Sequence, residues 1–365
     1  MATANTGTLT YQTKTLKTAL QALKPYADLK ATNPCLAAVK LTAEYAATTD
    51  LETFARYALG GDGDGTALVP LKPLMAALKN IKTPTVTLNL WADDDIEQHS
   101  LNLAGTVLRT LPSEDAPHYP DYVPCEAGYI PDFVTALRAV WSAVSADETR
   151  PMLCSVHIED GRLVACDSYR LHVAPVSNAE WLPPVNIRRS TLAGVLKLKD
   201  PAATVSVGHV VTRGKDERDL CCLEFGPLTL VGLLQLGDFP RWQQLVPADT
   251  EQTITIDRQT LRDHAAAALK FSGSRGNEPL RVDYNGNGHL NLTLEKTDVG
   301  TYAVDMPCES DSEPLAIGFH PEFLRDVLDS FAADTIHLRL NGALRPLLVE
   351  DAGQTAVLMP IRLND

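Results

Sequence analysis

The sequence predicts an α+β fold built from three repeated domains, because one order of helix-like and strand-like segments recurs three times in 365 residues. The first helix-like segment of each repeat lies at 13–26, 131–145 and 257–272, and within each segment apolar residues recur at steps of three and four. These segments begin roughly 120 residues apart, a period too long for a solenoid and suited to a small α+β domain. We therefore expect one structural unit present in three copies.

A second helix-like segment follows in every repeat and leads into a strand pattern. These segments begin at Leu71, Ile187 and His320, and the strand patterns after them are TVTLNLW, TVSVGHVV and TIHLRLN. The periodic patterns lapse near Pro124 and Pro247, where proline, acidic and polar residues cluster. The sequence therefore predicts an N-terminal domain at 1–124, a central domain at 125–248 and a C-terminal domain at 249–365.

Composition and charge limit the class of protein. The net charge of −14 opposes simple binding to free duplex DNA, but it permits a protein that is acidic outside and locally basic on one inner face. Seven cysteines without a C-x-x-C pair favour buried reduced thiols over disulfides or a zinc site. The first ten residues lack the basic start and apolar segment of a signal peptide, and the longest apolar stretch, 228–236, is too short to span a bilayer. We expect neither export nor membrane insertion.

Motifs for catalysis and for metal binding are absent from the sequence. It contains no G-x-x-x-x-G-K-[ST], no G-x-S-x-G and no H-E-x-x-H. The run GGDGDG at 60–65 offers Asp62 and Asp64 like the start of a calcium loop, but it lacks the third carboxylate and the closing glutamate. It therefore predicts a hairpin turn, and we expect no metal and no cofactor.

The segment from Arg150 to Val176 predicts a β-hairpin that ends in a polar cluster. Apolar residues alternate from Met152 to Ile158, the turn lies at Glu159-Asp160-Gly161, and a second strand runs to Cys166. The following residues, 167–171, close that strand. Asp167 beside Ser168 leaves open a cytosolic α+β enzyme for a small acidic or neutral substrate, with its site around Asp167 and Tyr169. Such a serine triad needs a histidine between the two, and the sequence places neither His157 nor His172 there.

Four segments resemble one known family. Cys166, Asp167, Arg170 and Leu171 match its T-D-x-x-R-L pattern, and the terminal M-P-x-R-L is present as Met359, Pro360, Arg362 and Leu363. Residues 237–247 (GDFPRWQQLVP) are similar to its F-P-x-[YW] linker, and residues 114–124 (EDAPHYPDYVP) stand at the equivalent junction after the first domain. The chain thus resembles, over essentially its whole length, the bacterial DNA polymerase III beta subunit, the sliding clamp.

The resemblance implies a non-catalytic homodimeric ring, with helices lining the hole and antiparallel sheets outside. Such a ring encircles double-stranded DNA without reading its sequence and tethers the replicative polymerase for processivity. The implied partners are the DNA polymerase III alpha subunit, the clamp loader, and other polymerases and repair proteins that bind through short linear peptides. The resemblance also implies a cytoplasmic, nucleoid-associated protein with no membrane contact. It leaves open a divergent second-copy, plasmid or phage clamp with altered partners.

By resemblance, partner peptides bind in a groove between the second and third domains. Aliphatic residues and methionine give such a groove an adaptable apolar surface, and arginines at its rim can hold carbonyls or a carboxylate. The predicted lining is Leu153, Cys166, Ser168, Tyr169, Arg170, Leu171, Pro240, Gln244, Leu245, Leu344, Pro346, Val357, Leu358, Met359, Pro360, Ile361 and Arg362.

The resemblance also selects cations that face DNA and residues that close the ring. Weak attraction to phosphates without base contacts suits sliding. The predicted DNA-facing residues are Lys14, Lys17, Lys24, Lys30, Lys72, Lys79, Arg138, Arg188, Arg189, Lys197, Arg258 and Arg262. Ring closure joins the first domain of one subunit to the third domain of the other, and its candidates are Leu108 and Phe271.

Overall fold

The computed structural model describes residues 4–93, 98–120, 122–199, 202–210, 218–273, 278–310 and 313–363. The chain forms two compact units. The first unit comprises Met1–Val134 and Ile187–Leu234, and the second unit comprises Thr135–Asn186 and Gln235–Asp365. Helices and antiparallel sheets are both present, which confirms the predicted α+β class.

Six helices and twenty-five strands lie within the described residues. The first third of the chain contains β1 (Ala4–Gln12), α1 (Thr13–Leu23), β2 (Ala38–Leu41), β3 (Tyr45–Thr49), β4 (Thr53–Ala58), β5 (Asp62–Asp64), β6 (Ala67–Pro70), α2 (Leu71–Leu78), β7 (Thr85–Asp93), β8 (Gln98–Leu103) and β9 (Thr106–Thr110). The middle contains β10 (Tyr122–Ile130), α3 (Phe133–Val140), β11 (Ser155–Glu159), β12 (Arg162–Cys166), β13 (Arg170–Pro175), β14 (Val185–Arg188), α4 (Arg189–Leu192), β15 (Ala203–Val210), β16 (Arg218–Phe225) and β17 (Leu228–Leu233). The last third contains β18 (Gln252–Asp257), α5 (Arg258–Ser272), β19 (Leu280–Tyr284), β20 (His289–Lys296), β21 (Gly300–Pro307), β22 (Leu315–Phe319), α6 (Pro321–Ser330), β23 (Thr335–Leu340), β24 (Leu347–Asp351) and β25 (Gln354–Leu358).

Local chemistry explains where the helices begin and end. The Asp257 carboxylate caps α5 by accepting a hydrogen bond from the Thr260 amide at 2.7 Å, and Gly273, with φ 78°, ends that helix. The segment predicted as a helix from Ile187 is shorter than expected, because α4 has four residues and a 3-10 turn follows at Val195–Lys197. Gly194 interrupts it, and a Cβ there would lie 2.4 Å from the Tyr26 hydroxyl.

Two predicted local structures are wrong. The GGDGDG run does not form a hairpin turn, because Asp62–Asp64 is strand β5 and pairs with β1, with Gly63 opposite Leu9. A Cβ at Gly63 would lie 1.8 Å from the Thr8 carbonyl oxygen, so glycine permits this close pairing. The hairpin strand predicted from Met152 begins only at Ser155, because Pro151–Cys154 forms a 3-10 turn with proline at its first position.

The first unit contains two antiparallel sheets. Sheet 1 has the order β5-β1-β7-β8-β9, and sheet 2 has the order β10-β15-β16-β17-β4-β3-β2-β6. In sheet 2, strands from the first and second repeats join where β4 pairs with β17 and Phe54 lies opposite Val231.

The other two sheets are also antiparallel, and one of them again joins strands from two repeats. Sheet 3 has the order β14-β11-β12-β13-β25-β24-β23-β18, and sheet 4, in the second unit, has the order β21-β20-β19-β22. In sheet 3, strands from the second and third repeats join where β13 pairs with β25 and Leu171 lies opposite Val357. Each compact unit combines segments from more than one repeat, so the two units do not correspond to the three predicted domains. The division at 1–124, 125–248 and 249–365 stays a prediction.

Helices α5 and α6 cover one face of the sheets in the second unit. Leu261 and Ala265 of α5 and Leu324 and Val327 of α6 lie in one buried core with inward residues of strands β18 to β25. The linker that precedes β18 packs on the opposite face of sheet 3, which these helices do not cover. Within the described ranges, no helix combines the length and the apolar character needed to cross a bilayer.

Candidate functional site

A small apolar cluster on sheet 3 lies apart from the main core of the second unit. Its buried members are Leu153, Val164, Cys166, Leu171, Val173, Trp242, Leu348 and Val357, with Phe239 and Val246 against them. Trp242 comes from the linker, and the cross-strand row Cys166, Leu171, Val357 and Leu348 forms the floor. Burial raises the pKa of the Cys166 thiol to about 11, so this side chain stays protonated and apolar. We name this cluster and its rim the sheet 3 groove.

Leu358 does not line the sheet 3 groove. Successive residues of a strand point to opposite faces, and Val357 faces the groove floor, so Leu358 points the other way. Leu358 is fully buried in the core with Ala356 and Val327. The prediction that Leu358 lines the groove is corrected by this strand alternation.

Four of the residues predicted to line the groove are exposed and apolar. Tyr169, Leu245, Leu344 and Met359 are large hydrophobic residues with 45–66% of their surface accessible. The Met359 amide donates to the Tyr169 carbonyl at 2.8 Å, so the C-terminal segment starts beside the turn at 167–169. The Ile361 amide then donates to the Gly318 carbonyl at 2.7 Å, and a Cβ at residue 318 would lie 2.7 Å from the Ile361 oxygen. Among the remaining predicted lining residues, Ser168, Pro240, Gln244 and Arg362 are exposed, whereas Pro346 and Pro360 are half-buried.

A tight turn shapes the end of the groove at Asp167-Ser168-Tyr169. The Asp167 carboxylate accepts from the amides of Tyr169 and Arg170, both at 3.0 Å, and Ser168 has φ 80°. The Ser168 hydroxyl accepts from Arg150 at 2.6 Å, and within the described residues it has no histidine partner. This geometry is a local turn and not a nucleophile with a base. No cluster of three or more His, Cys, Asp or Glu side chains suited to a metal ion occurs in the described part of the chain.

Arg170 has a different role from the one predicted. Its guanidinium donates to Asp167 at 2.9 Å and to Asp326 of α6 at 2.5 Å, and it lies 4.4 Å above the Phe323 ring. The Arg170 side chain is 9% exposed. Because its donors are committed to carboxylates, Arg170 links strand β13 to helix α6 and is not a free rim donor for a peptide.

Sequence reasoning missed an aromatic stack beside this ion cluster. Phe323 of α6 stacks on Tyr169 with ring centroids 5.5 Å apart, and His320 lies 4.6 Å from Phe323 on centroids. The stack continues the exposed apolar surface of the groove next to Met359. The sequence signal that could have revealed the stack is the spacing of His320 and Phe323, because residues three apart share one face at the start of a predicted helix.

His172 makes the second unit sensitive to acid. Its ring is fully buried, the Nδ1 atom lies 3.1 Å from the Ala139 carbonyl oxygen, and burial lowers its pKa from 6.5 to about 4. The unfolded state binds a proton below about pH 6.5, whereas the folded state does not until about pH 4, so stability falls as the pH drops through this window. We expect the His172 contribution to reach about 3 kcal/mol. Urea denaturation across pH 4 to 7 measures it, and His172→Leu is expected to flatten the profile; an unchanged slope contradicts the assignment.

The predicted DNA-facing cations fall into two structural groups. Some are committed to protein partners: Lys17 donates to the Ile81 carbonyl at 2.7 Å, Arg258 to the Ala333 carbonyl at 2.6 Å, and Arg262 to Asp329 at 2.8 Å. Arg188 pairs with Glu52 at 2.9 Å. The carbonyls bound by Lys17 and Arg258 follow helices α2 and α6, so these two side chains anchor paired helices in two repeats.

The other group is exposed. Lys14, Lys24, Lys30, Lys72, Lys79 and Lys197 all lie in the first unit and have no ion pair within the described residues. Lys30 lies in a turn after α1 rather than on a helix. Arg138 is exposed on α3, and Arg189 is half-buried at the start of α4.

The two predicted ring-closing residues lie beside strands at the ends of sheets. Leu108 is on β9, the last strand of sheet 1, and β21 is the last strand of sheet 4. Phe271, at the end of α5, packs against Tyr302 of β21 with centroids 6.1 Å apart. Each strand leaves one row of backbone groups without a strand partner within the described residues.

Comparison with known proteins gives one consistent result. Residues 243–362 match the family model described as the DNA polymerase III beta subunit, C-terminal domain. The beta sliding clamp of Synechococcus elongatus is 26% identical over 63% of this chain and 64% of that protein. The beta sliding clamp of Rickettsia bellii is 23% identical over 96% of this chain and 98% of that protein.

Solved structures share the fold along nearly the full length. A Caulobacter crescentus beta sliding clamp with polyethylene glycol bound has a TM-score of 0.86 at 22% identity, covering 98% of this chain and 99% of that one. A Bartonella birtlesii sliding clamp bound to griselimycin has a TM-score of 0.84 at 23% identity, with the same coverage. The C-terminal third of the chain thus matches the family model of the DNA polymerase III beta subunit, and the whole chain is similar in sequence to beta sliding clamps and shares their fold.

Proposed function

We propose that this protein is a DNA sliding clamp, a non-catalytic homodimeric ring that encircles duplex DNA and holds the replicative polymerase on it. The observation that carries the proposal is the full-length match to beta sliding clamps, which covers 96% of this chain in one curated relative. The location we propose is the cytoplasm, on the nucleoid. We propose the domain division 1–124, 125–248 and 249–365 as well.

The order of strands supports closure by a second copy. Sheet 2 begins β6-β2-β3-β4 and continues β17-β16-β15-β10, and sheet 3 has the corresponding order, β14-β11-β12-β13 followed by β25-β24-β23-β18. Sheet 4 supplies only the first half of this order and ends at β21, whereas sheet 1 contains the second half and ends at β9. Pairing β21 with β9 of another copy completes the same eight-strand order and covers both edges.

The exposed lysines of the first unit are the proposed DNA contacts, together with Arg138, Arg189 and the partly engaged Lys17, Arg188, Arg258 and Arg262. Changing Lys14, Lys24 and Lys72 together to alanine is expected to weaken binding to a short fluorescein-labelled duplex and to flatten its dependence on salt. The slope of log K against log salt falls by about 0.9 for each phosphate that the variant no longer neutralises. Anisotropy over a salt series measures this change. Arg345→Ala, an exposed cation of the second unit, is the matched control, and equal salt slopes in all three proteins would contradict the assignment.

The sheet 3 groove is the proposed site for partner peptides. Its apolar floor and its exposed rim of Tyr169, Leu245, Leu344 and Met359 suit leucine and phenylalanine side chains of short linear segments. The proposed partners are the polymerase III alpha subunit, the clamp loader, and other polymerases and repair proteins. The related Bartonella protein binds griselimycin, which supports ligand binding in this family.

Negative-stain electron microscopy of the purified protein, with its mass in solution, tests the proposed ring. We expect a dimer mass and flat particles with a central hole wide enough for duplex DNA. Compact particles without a hole, at a concentration where the dimer mass is observed, would overturn the proposal.

A further inference from the structure

The first unit contains a cavity of about 470 Å³ on sheet 2. Residues of β2, β3 and β4 form its floor, and the linker from Ser113 to Tyr119 forms one wall. Ala46 and Ala55 on the other face of the same strands are fully buried, and helix α1 packs against β3 and β4. We name this space the sheet 2 cavity.

The sheet 2 cavity repeats the turn that shapes the sheet 3 groove. The Asp50 carboxylate accepts from the amides of Glu52 at 3.0 Å and Thr53 at 2.7 Å, as Asp167 does from the two amides after Ser168. Leu51 has φ 74°, close to the 80° of Ser168. A turn of the same form therefore stands at the equivalent strand junction of the first repeat.

The floor of the sheet 2 cavity also has an equivalent in the groove. Thr49, Phe54, Val231 and Cys222 form one cross-strand row, which corresponds to Cys166, Leu171, Val357 and Leu348. Tyr119 of the linker packs edge-on against Phe54 at 5.9 Å, as Trp242 of the second linker packs on its own cluster. Both sites thus combine a sheet floor, a linker aromatic and an adjoining Asp turn.

The sheet 2 cavity differs from the groove in its cations. Lys40 and Arg56 each lie opposite Ala47, on neighbouring strands, so both side chains project from the cavity face. Neither has an ion pair or side-chain hydrogen bond within the described residues, although Arg56 lies 4.0 Å above the Tyr45 ring. His118 also lines the cavity. Two cations therefore face this space without an acceptor.

A buried donor and the local carboxylates complete the site. The Tyr119 hydroxyl is shielded from solvent and makes no hydrogen bond within the described residues, although a buried hydroxyl ordinarily has a partner. Glu114 lines the cavity, Asp115 lies near Cys35, and Glu224 lies near Tyr119. An acceptor entering between Lys40 and Arg56 would meet two cationic donors beside an aromatic floor.

We propose that the sheet 2 cavity is a second peptide-binding site, which takes a short linear segment with an acidic side chain next to an aliphatic or aromatic one. The carboxylate binds Lys40 and Arg56, and the apolar neighbour packs on Phe54 and Tyr45. This site goes beyond the partner groove of the proposed clamp, so its failure leaves that groove intact.

Selection from a display library of random octapeptides tests the second site. The target is the full chain carrying Leu171→Ala and Met359→Ala. Those changes are expected to disable the sheet 3 groove, so that selected peptides report on other surfaces. We expect enrichment of sequences that place Asp or Glu beside Leu, Phe, Tyr or Trp. Fluorescein-labelled copies are expected to bind at least tenfold more weakly when Lys40→Gln and Arg56→Gln are added.

Three variants make the result decisive. The exchange Lys40→Arg with Arg56→Lys keeps both charges and is expected to retain binding. Lys82→Gln removes an exposed cation elsewhere and should have no effect on binding. Glu114→Gln removes a carboxylate that lines the cavity and should strengthen binding. Circular dichroism checks that each variant is folded. Failure to enrich acidic peptides, or equal binding of the enriched peptides to the Lys40→Gln/Arg56→Gln protein, overturns the proposal.

Discussion

Replacing Leu171 and Met359 together by alanine is expected to abolish the binding of partner peptides and the stimulation of the polymerase, while the dimer stays assembled. Leu171 lies in the centre of the groove floor between Cys166 and Val357 and is 2% exposed, so its truncation is expected to lower stability as well, and Met359 supplies exposed apolar surface beside it. Truncating central anchors of an interface costs about 2 kcal/mol or more each, so the pair lowers peptide affinity by roughly three orders of magnitude. Peptide titration by fluorescence anisotropy and primer-extension length measure the two effects.

Two controls separate groove chemistry from fold stability. Leu358→Ala removes a side chain next to Met359 in sequence but on the core face, so it is expected to lower the free energy of unfolding by about 2–5 kcal/mol and to leave peptide affinity nearly unchanged. Val299→Ala alters an exposed hydrophobic residue elsewhere and should change neither quantity. Full polymerase stimulation by the Leu171/Met359 double variant would refute the groove assignment.

Replacing Arg170 by alanine is expected to destabilise the second unit by about 3–5 kcal/mol. The change leaves Asp167 without its cation and leaves Asp326 with Arg325 alone, and both carboxylates are at most 15% exposed. It also removes the guanidinium above Phe323, so the aromatic stack with Tyr169 loses support. The urea midpoint of the transition that exposes the second unit measures the loss.

The form of the side chain matters as much as its charge in this ion cluster. Arg170→Lys keeps the charge but lacks the planar guanidinium whose separate nitrogens bind the two carboxylates, so its midpoint should lie between those of the parent and Arg170→Ala. Arg345→Ala, an exposed arginine of the same unit, is expected to stay within about 0.5 kcal/mol of the parent. A midpoint for Arg170→Ala equal to that of Arg345→Ala would show that the cluster contributes nothing.

Local sequence patterns predicted the turns and helices that are stabilised by interactions within the same segment. The hairpin turn at Asp160-Gly161 was predicted from sequence and is present, with φ 48° and 67° at the two residues, as a two-residue hairpin turn requires. Helices α1 and α5 begin at or next to the predicted residues because apolar periodicity and the Asp257 cap are contained in the segment itself. These features need no information from distant parts of the chain.

Features that depend on distant contacts were not predictable. Asp326 lies 156 residues from Arg170, so no sequence pattern showed that the arginine is committed to a carboxylate. The turn at Asp50 escaped notice because Thr53 stands where the second repeat has Arg170, which removes the recognisable half of the motif. The core position of Leu358, in contrast, was open to prediction from strand alternation, because two adjacent strand residues cannot both line the groove, and the sequence analysis did not apply this rule.

The most direct test of the account is whether the protein stays on DNA by encircling it. The protein is loaded onto a nicked circular DNA with the cognate clamp loader and ATP, separated from free protein by gel filtration, and the circle is then cut once by a restriction enzyme. A clamp remains bound to the circle and is released after linearisation, because it slides off the ends. Retention on the linear DNA equal to that on the circle, or no retention on the circle, would contradict the account.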